Sequence, residues 1–118
     1  LGEIVVLQKE VHVPLIDLTN ENFDDQIESC KLAILDFWAP WCAPCKAFAP
    51  IFEAAALAHP DVLFARINTD AETVLSEQFA VKSVPTILGA VDGTITQVKL
   101  GALVPDKLED LIQQLRKT

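Results

Sequence analysis

Residues 32–38, Leu-Ala-Ile-Leu-Asp-Phe-Trp, carry apolar side chains on both alternating faces, with a single carboxylate, Asp36, among them. A strand with two apolar faces has to be covered on both sides. It belongs in the centre of a parallel sheet, with helices packed above and below. Close behind it come Trp41-Cys42-Ala43-Pro44-Cys45 and a stretch whose apolar residues recur at helical spacing. The strand therefore delivers two cysteines to the start of a helix, and that junction limits both the fold and its chemistry.

The flanking segments fit the same α/β architecture. Residues 15–18 read as a short strand, and Thr19 or Asn20 is placed to cap a first helix with Phe23 and Ile27 on one face. In the helix after Cys42, Pro44 falls in the first turn, where its missing N–H would be unpaired anyway. Cys45, Phe48, Ala49, Phe52 and Ala56 form the buried stripe, and Pro50 predicts a kink. His59-Pro60-Asp61 ends this helix, and residues 62–67 form the next strand. Thr69-Asp70-Ala71-Glu72 has capping-box spacing and predicts a short helix with Leu75 and Phe79 facing inward. Pro85 opens a strand through Thr86-Ile87-Leu88. Asp92-Gly93 signals a hairpin whose second arm is residues 94–100. Pro105 starts a last helix with Leu108, Leu111, Ile112 and Leu115 at helical spacing. The order β-α-β-α-β-α-β-β-α gives parallel strands with crossover helices followed by an antiparallel pair. A central mixed sheet flanked by helices on both faces is expected. Residues 1–13 read as an N-terminal arm, in which Ile4-Val5-Val6-Leu7 could add an edge strand, and residues 14–118 as the single domain.

With 118 residues there is room for one core. A net charge of −8 argues against a general binder of nucleic acid or anionic membrane, since both need a basic face. Asp17, Glu21, Asp24, Asp25 and Glu28 lie close together and read as a solvated face. No apolar run approaches the length of a membrane span, and the N-terminus lacks the basic segment and long apolar core of a secretory signal. The three cysteines leave Cys30 over once the close pair is set aside. A leftover thiol suits a reducing compartment, so a cytoplasmic location is expected.

A Cys-x-x-Cys turn holds two sulfurs within disulfide reach and puts the first near a helix N-terminus. There the partial positive charge favours thiolate over thiol, and the thiolate is the species that attacks disulfides. On this reading Cys42 is the nucleophile. It forms a mixed disulfide with a substrate, which Cys45 resolves by attacking the Cys42 sulfur. A structural disulfide or half of a zinc site is the alternative. Zinc wants four ligands, however, and the chain has no second cysteine pair; Cys30 and the two histidines are not at ligand spacing. Asp36 is the least expected residue, because a carboxylate in a buried apolar run is costly without a partner or a task.

These motifs resemble the thioredoxin family from about Pro14 to the C-terminus. The resemblance is carried by Asp36-Phe37-Trp38-Ala39-Pro40-Trp41-Cys42-Ala43-Pro44-Cys45-Lys46, Pro50, Val84-Pro85-Thr86, Asp92-Gly93 and Gly101-Ala102. The runs Phe48-Ala49-Pro50-Ile51-Phe52-Glu53 and Asn68-Thr69-Asp70-Ala71-Glu72 look most like the second bacterial thioredoxin type. That type usually carries an N-terminal zinc-binding module, and this chain has none of the module's cysteines. The resemblance implies the thioredoxin fold and a protein-disulfide reductase with no bound cofactor, working through a redox-active Cys42–Cys45 disulfide. It implies electrons from a thioredoxin reductase, disulfide-bearing client proteins as partners, and a monomer. It also implies that Asp36 lies below the cysteines with a raised pKa and relays a proton at Cys45. Pro85 matches the family's cis-proline, which leaves the Val84 backbone open to an extended substrate segment. Trp41, Ala43, Pro44, Val84, Pro85, Gly101 and Ala102 would form a flat apolar surface around Cys42, with Trp38 packed in the core.

Several positions depart from the family pattern. Arg66 stands where many thioredoxins carry a lysine near the buried Asp. If it approaches Asp36 its fixed charge pulls the carboxyl pKa down against burial; otherwise it is a surface arginine at the sheet edge. Ala43 replaces the usual glycine and stiffens the loop. No histidine lies between the cysteines, which favours a reductant over a thiol oxidant or isomerase of an oxidising compartment. Gly89-Ala90 stands where bulky residues are usual and puts local strand packing in question. A non-catalytic binding module on the same fold is the remaining alternative, and an intact cysteine pair weakens it.

Overall fold

The computed structural model describes residues 15–118. The proposed arm and the strand at Ile4–Leu7 lie outside the described residues. The expected order is present in full: β1 (Leu15–Asp17), α1 (Phe23–Glu28), β2 (Leu32–Trp38), α2 (Ala43–Ala58), β3 (Leu63–Asn68), α3 (Thr73–Gln78), β4 (Thr86–Val91), β5 (Thr94–Leu100) and α4 (Pro105–Arg116). The strands form one sheet in the order β1-β3-β2-β4-β5. β1, β3 and β2 are parallel; β4 runs antiparallel to β2, and β5 to β4.

Strand alternation divides the core into two layers. Leu32 and Ile34 of β2 face one side with Phe64 and Ile87, under Phe48, Phe52 and Ala56 of α2 and Leu108, Leu111, Ile112 and Leu115 of α4. Ala33, Leu35 and Phe37 face the other side with Ala65, Ile67 and Leu88, against Phe23 and Ile27 of α1 and Leu75 of α3. Phe52 and Phe64 meet edge to face across the first layer at 5.2 Å. Complete burial of each such ring contributes about 1.5–3 kcal/mol. The central position of β2 thus follows from its two apolar faces. α2 continues through Pro50, and its stripe is buried except Ala49, which is half-buried.

Two caps differ from expectation. At the entry to α1, the Thr19 N–H donates to Asn22 Oδ1 (2.7 Å) and the Asn22 N–H to Thr19 Oγ1 (3.2 Å), so Asn22 takes the cap position. Thr69-Asp70-Ala71-Glu72 does not close a capping box. The Thr69 N–H and hydroxyl both donate to the Trp38 carbonyl, and Glu72 instead accepts from the Asn20 N–H. α3 is capped from a distance, with the Leu75 N–H donating to Asn20 Oδ1 at 3.2 Å.

The hairpin signal is realised by Asp92 (φ 50°) and Gly93 (φ 81°), the paired left-handed residues of a type I′ turn. Gly89 has a packing reason: a β-carbon there would stand 2.9 Å from Leu115 Cδ2 of α4. Next to it the register shifts between Gly89 and Ala90, leaving Thr96 as an extra residue and turning Ile95 onto the α1/α3 layer.

Candidate active site

Trp38 ends β2 and Ala43 opens α2, so Cys42 occupies the N-cap of the long helix. Its backbone is extended (φ −89°, ψ 108°), and its Sγ accepts the Cys45 N–H at 3.2 Å. That amide is one of the donors a helix N-terminus leaves unpaired. Cys42 and Cys45 are joined by a disulfide with a Cα–Cα distance of 5.3 Å. Both are buried, Cys45 completely, and they pack with Ala39 against Trp38 and Val84.

Asp36 lies two residues before Trp38 on the sheet face that α2 covers. It is fully buried, and among the described residues neither carboxylate oxygen has a hydrogen-bond partner. Across the β2–β3 register its neighbour is Arg66, whose Nε stands 3.6 Å from Asp36 Oδ2, beyond hydrogen-bond reach. Burial pushes the Asp36 carboxyl up to about 6, and the guanidinium charge pulls part of that back. Arg66 lies over the Trp38 ring, its Cζ 4.2 Å from the ring centroid. It is a partly buried residue of an internal strand rather than a surface arginine at the sheet edge. Trp38 Nε1 and Arg66 Nε are also buried atoms without hydrogen-bond partners among the described residues. One small region at the C-terminal end of β2 therefore holds four polar atoms unsatisfied among the described residues, a costly arrangement in a core.

The residues expected around Cys42 divide by exposure. Trp41 is 70% exposed, Ala43, Pro44 and Ala102 are exposed, and Val84 and Gly101 are half-buried. The Val84–Pro85 peptide bond is cis, and Pro85 itself is buried. Pro85 therefore shapes the backbone beneath the rim rather than lending surface to it. Its carbonyl accepts the Gly101 N–H at 2.8 Å, which ties residues 101–102 to the Val84 segment. Gly101 has φ +90°, a left-handed backbone that glycine adopts without strain. A recess of 130 Å³ opens between Trp41, Thr69 and residues 81–84.

This geometry can be set beside known proteins. The thioredoxin family profile matches residues 14–114. The chain belongs to the thioredoxin family. Putative thioredoxin 2 of Streptomyces coelicolor is 39% identical over 102 residues, covering 86% of this chain and 76% of that protein. A thioredoxin of Alicyclobacillus acidocaldarius is 37% identical, covering 78% of this chain and 89% of its own length. Among solved structures, spinach chloroplast thioredoxin f in its short form is similar with a TM-score of 0.82 and 27% identity, over 88% of this chain and 95% of that one. Oxidised mitochondrial thioredoxin 3 of Saccharomyces cerevisiae gives a TM-score of 0.78 at 30% identity, over 85% of this chain and 94% of that one. With its Cys42–Cys45 disulfide, this thioredoxin is a dithiol protein-disulfide oxidoreductase of the reductase type. Thioredoxins work without a cofactor; the redox group is the disulfide itself. The family implies a thioredoxin reductase and disulfide-bearing clients as its general partners. Among the described residues no helix is long and apolar enough to cross a membrane.

One contact in this thioredoxin escaped the sequence reading. The Trp41 indole N–H donates to Asp70 Oδ2 at 3.1 Å, anchoring the most exposed aromatic residue of the rim to the loop after β3. Asp70 is itself set by its N–H donating to Asn68 Oδ1 at 2.9 Å. The only signal was the position of an aspartate two residues past a strand end, which does not name its partner. Cys30 is half-buried near Ile27, its Sγ 3.5 Å from that residue's carbonyl, and burial pushes its thiol pKa up. It is packed as a small apolar residue, away from the pair.

Proposed function

We propose that Cys42 is the attacking sulfur, Cys45 the resolving sulfur and Asp36 the group that takes the Cys45 proton. The observation that carries this reading is the Cys45 N–H aimed at Cys42 Sγ at a helix N-cap. In the reduced protein the same amide faces a thiolate, a charge-assisted hydrogen bond about twice as strong as a neutral one. The Cys42 thiolate attacks one sulfur of a client disulfide, and the other client sulfur leaves as thiolate. The Cys45 thiol gives its proton to Asp36 and attacks Cys42 Sγ. That step forms the internal disulfide and releases the second client thiolate. A thioredoxin reductase then returns two electrons. A carboxyl raised to about 6 is ionised at neutral pH yet closer to a thiol than an ordinary carboxyl, which suits a proton acceptor. Arg66 limits that rise and so modulates the relay.

The client surface is the rim of Trp41, Ala43, Pro44, Val84, Gly101 and Ala102, shaped from below by Pro85. Among the described residues Val84 makes no backbone–backbone hydrogen bond, which leaves it available to an extended client segment. The redox unit spans residues 14–118. The reducing direction is supported by the absence of a histidine between the cysteines, and a reducing, cytoplasmic compartment by the unpaired Cys30. Dithiothreitol-driven insulin reduction tests the reading: acceleration by the native protein and its loss in Cys42→Ser are expected. A Cys42→Ser protein that still accelerates would overturn the assignment of the nucleophile. A pair readily reduced by glutathione would overturn the reducing direction.

A further inference from the structure

The two edges of the sheet are unequal. β1 is three residues long, whereas β5 runs seven residues, Thr94–Leu100, and among the described residues pairs only through β4. Long edge strands are templates for added strands, and proteins usually blunt them with several charges or a proline. β5 carries one charge, Lys99, and no proline. Its two faces differ. On the α1/α3 side Val98 and Leu100 are 57% and 74% exposed. On the α4 side Gln97 and Lys99 line a groove of 430 Å³ shared with Lys107 and Gln114, and among the described residues Asp110 is the only carboxylate lining it. Among the described residues neither lysine is in an ion pair. In a chain of net charge −8, this groove carries a local excess of positive charge.

We propose that the outer edge of β5 is a docking strand for an extended segment of a partner protein whose apolar residues alternate with carboxylates. Strand addition supplies the main-chain hydrogen bonds, and the period of two supplies the selectivity. One set of partner side chains meets Val98 and Leu100. The other set points into the groove toward Lys99 and Lys107. The docked strand also reaches the cysteine rim, because Leu100 leads into Gly101, which is bonded to Pro85. Docking uses neither cysteine, so it stands or falls apart from the redox roles proposed above.

The test titrates the full-length, 15N-labelled protein with an N-acetylated, C-amidated peptide of sequence TVEVEVET. Saturable shifts are expected in the Gln97–Leu100 amides, weakening several-fold as salt rises from about 20 to about 300 mM. A peptide with lysine in place of glutamate should bind about fivefold more weakly, and Lys99→Glu should reverse that preference while leaving insulin reduction unchanged. Equal binding of both peptides overturns the proposal. So do shifts centred on Trp41 and Val84 rather than on β5, contacts showing Ile4–Leu7 of the same chain on this edge, or dimerisation through β5 in sedimentation.

Discussion

The long helix α2 ends in two polar clusters of opposite character. At its N-terminal end, where β2 runs toward the cysteines, Asp36 is fully buried and Arg66 and Trp38 are partly buried; among the described residues both Asp36 oxygens, Arg66 Nε and Trp38 Nε1 lack hydrogen-bond partners. At its C-terminal end the polar side chains are paired and largely exposed. Arg116 of α4 donates to both Asp61 oxygens at 2.6 and 3.1 Å and contacts His59 Nδ1 at 2.9 Å, while His59 Nε2 meets Glu109 at 2.8 Å. The Arg116 donor on Nδ1 is compatible with an Nε2–H imidazole that donates to Glu109. The consequences for pH run in opposite directions. Burial raises Asp36 to about 6, whereas the Arg116 hydrogen bond lowers Asp61 to about 2. One end of the helix holds a carboxylate the fold penalises, and the other holds one the fold favours. The penalised carboxylate lies on the sheet face covered by the helix that begins at the redox pair, which is the signature of a site kept at some cost in stability.

The largest effect expected at the cysteine end is loss of the resolving thiol. Cys45→Ser should lower insulin-reduction turnover by at least about a thousandfold, because the intramolecular displacement is gone. A mixed disulfide on Cys42 should accumulate, visible by mass spectrometry; turnover near the native rate would remove Cys45 from its proposed role. Asp36→Asn separates chemistry from stability. It should slow mixed-disulfide resolution roughly a hundredfold and, above about pH 6, stabilise the fold by up to about 3 kcal/mol. The sign follows from the raised value. Between the ordinary carboxyl value of 3.8 and about 6 the folded state binds more protons than the unfolded state. The native protein therefore loses stability as pH rises through that window. The variant's advantage should vanish below about pH 4 in urea melts taken across pH. A pH-independent advantage would mean that Asp36 is not penalised by its charge.

What was readable in the sequence was local. The two apolar faces of β2, Cys42 at a helix start and Asp92-Gly93 in its turn are each decided by a few adjacent residues. Even the burial of Asp36 follows from its neighbours along the strand. The structure added what the fold brings together from far apart. Asn20 caps α3 from 55 residues away, Trp41 finds Asp70 over 29, and Arg116 reaches His59 over 57. A capping box at Thr69–Glu72 looked satisfactory locally. It lost because the Trp38 carbonyl offered Thr69 two bonds at the end of the β2–β3 pairing. Arg66 could be read as a surface residue or as a partner of Asp36. The parallel register that sets it beside Asp36 decides between those readings.

At the far end of α2, packing and charge can be weighed against each other. Gly89→Ala places a β-carbon 2.9 Å from Leu115 Cδ2, and Leu115 is fully buried beside Ile112 and Leu111. Its methyl cannot swing into solvent, so the overpacking should cost about 1–3 kcal/mol in chemical denaturation. A neutral result would show that α4 shifts freely on the sheet, and the contrast between a rigid far end and a penalised near end would fail.

Arg116→Ala should have the smallest effect, since its ion-pair partner Asp61 is exposed and such pairs are screened by salt. Its value lies in the sign. Asp61 and Glu109 are held below their ordinary values by Arg116 and His59. Asp61's contribution is present above pH 4 and lost as pH falls toward about 2, and the lowered Glu109 acts in the same direction. Removing Arg116 should therefore flatten the acid limb of the stability curve below about pH 4 and leave the Asp36-dependent slope between pH 4 and 6 untouched. Thermal melts at low salt, repeated with Arg116→Lys, resolve the two limbs. Lysine keeps the charge but not the two-pronged contact with Asp61, so it should restore only part of the acid limb. A change in the upper limb instead would mean that the two ends of α2 are coupled through the helix, and that their opposite responses to pH belong to one system.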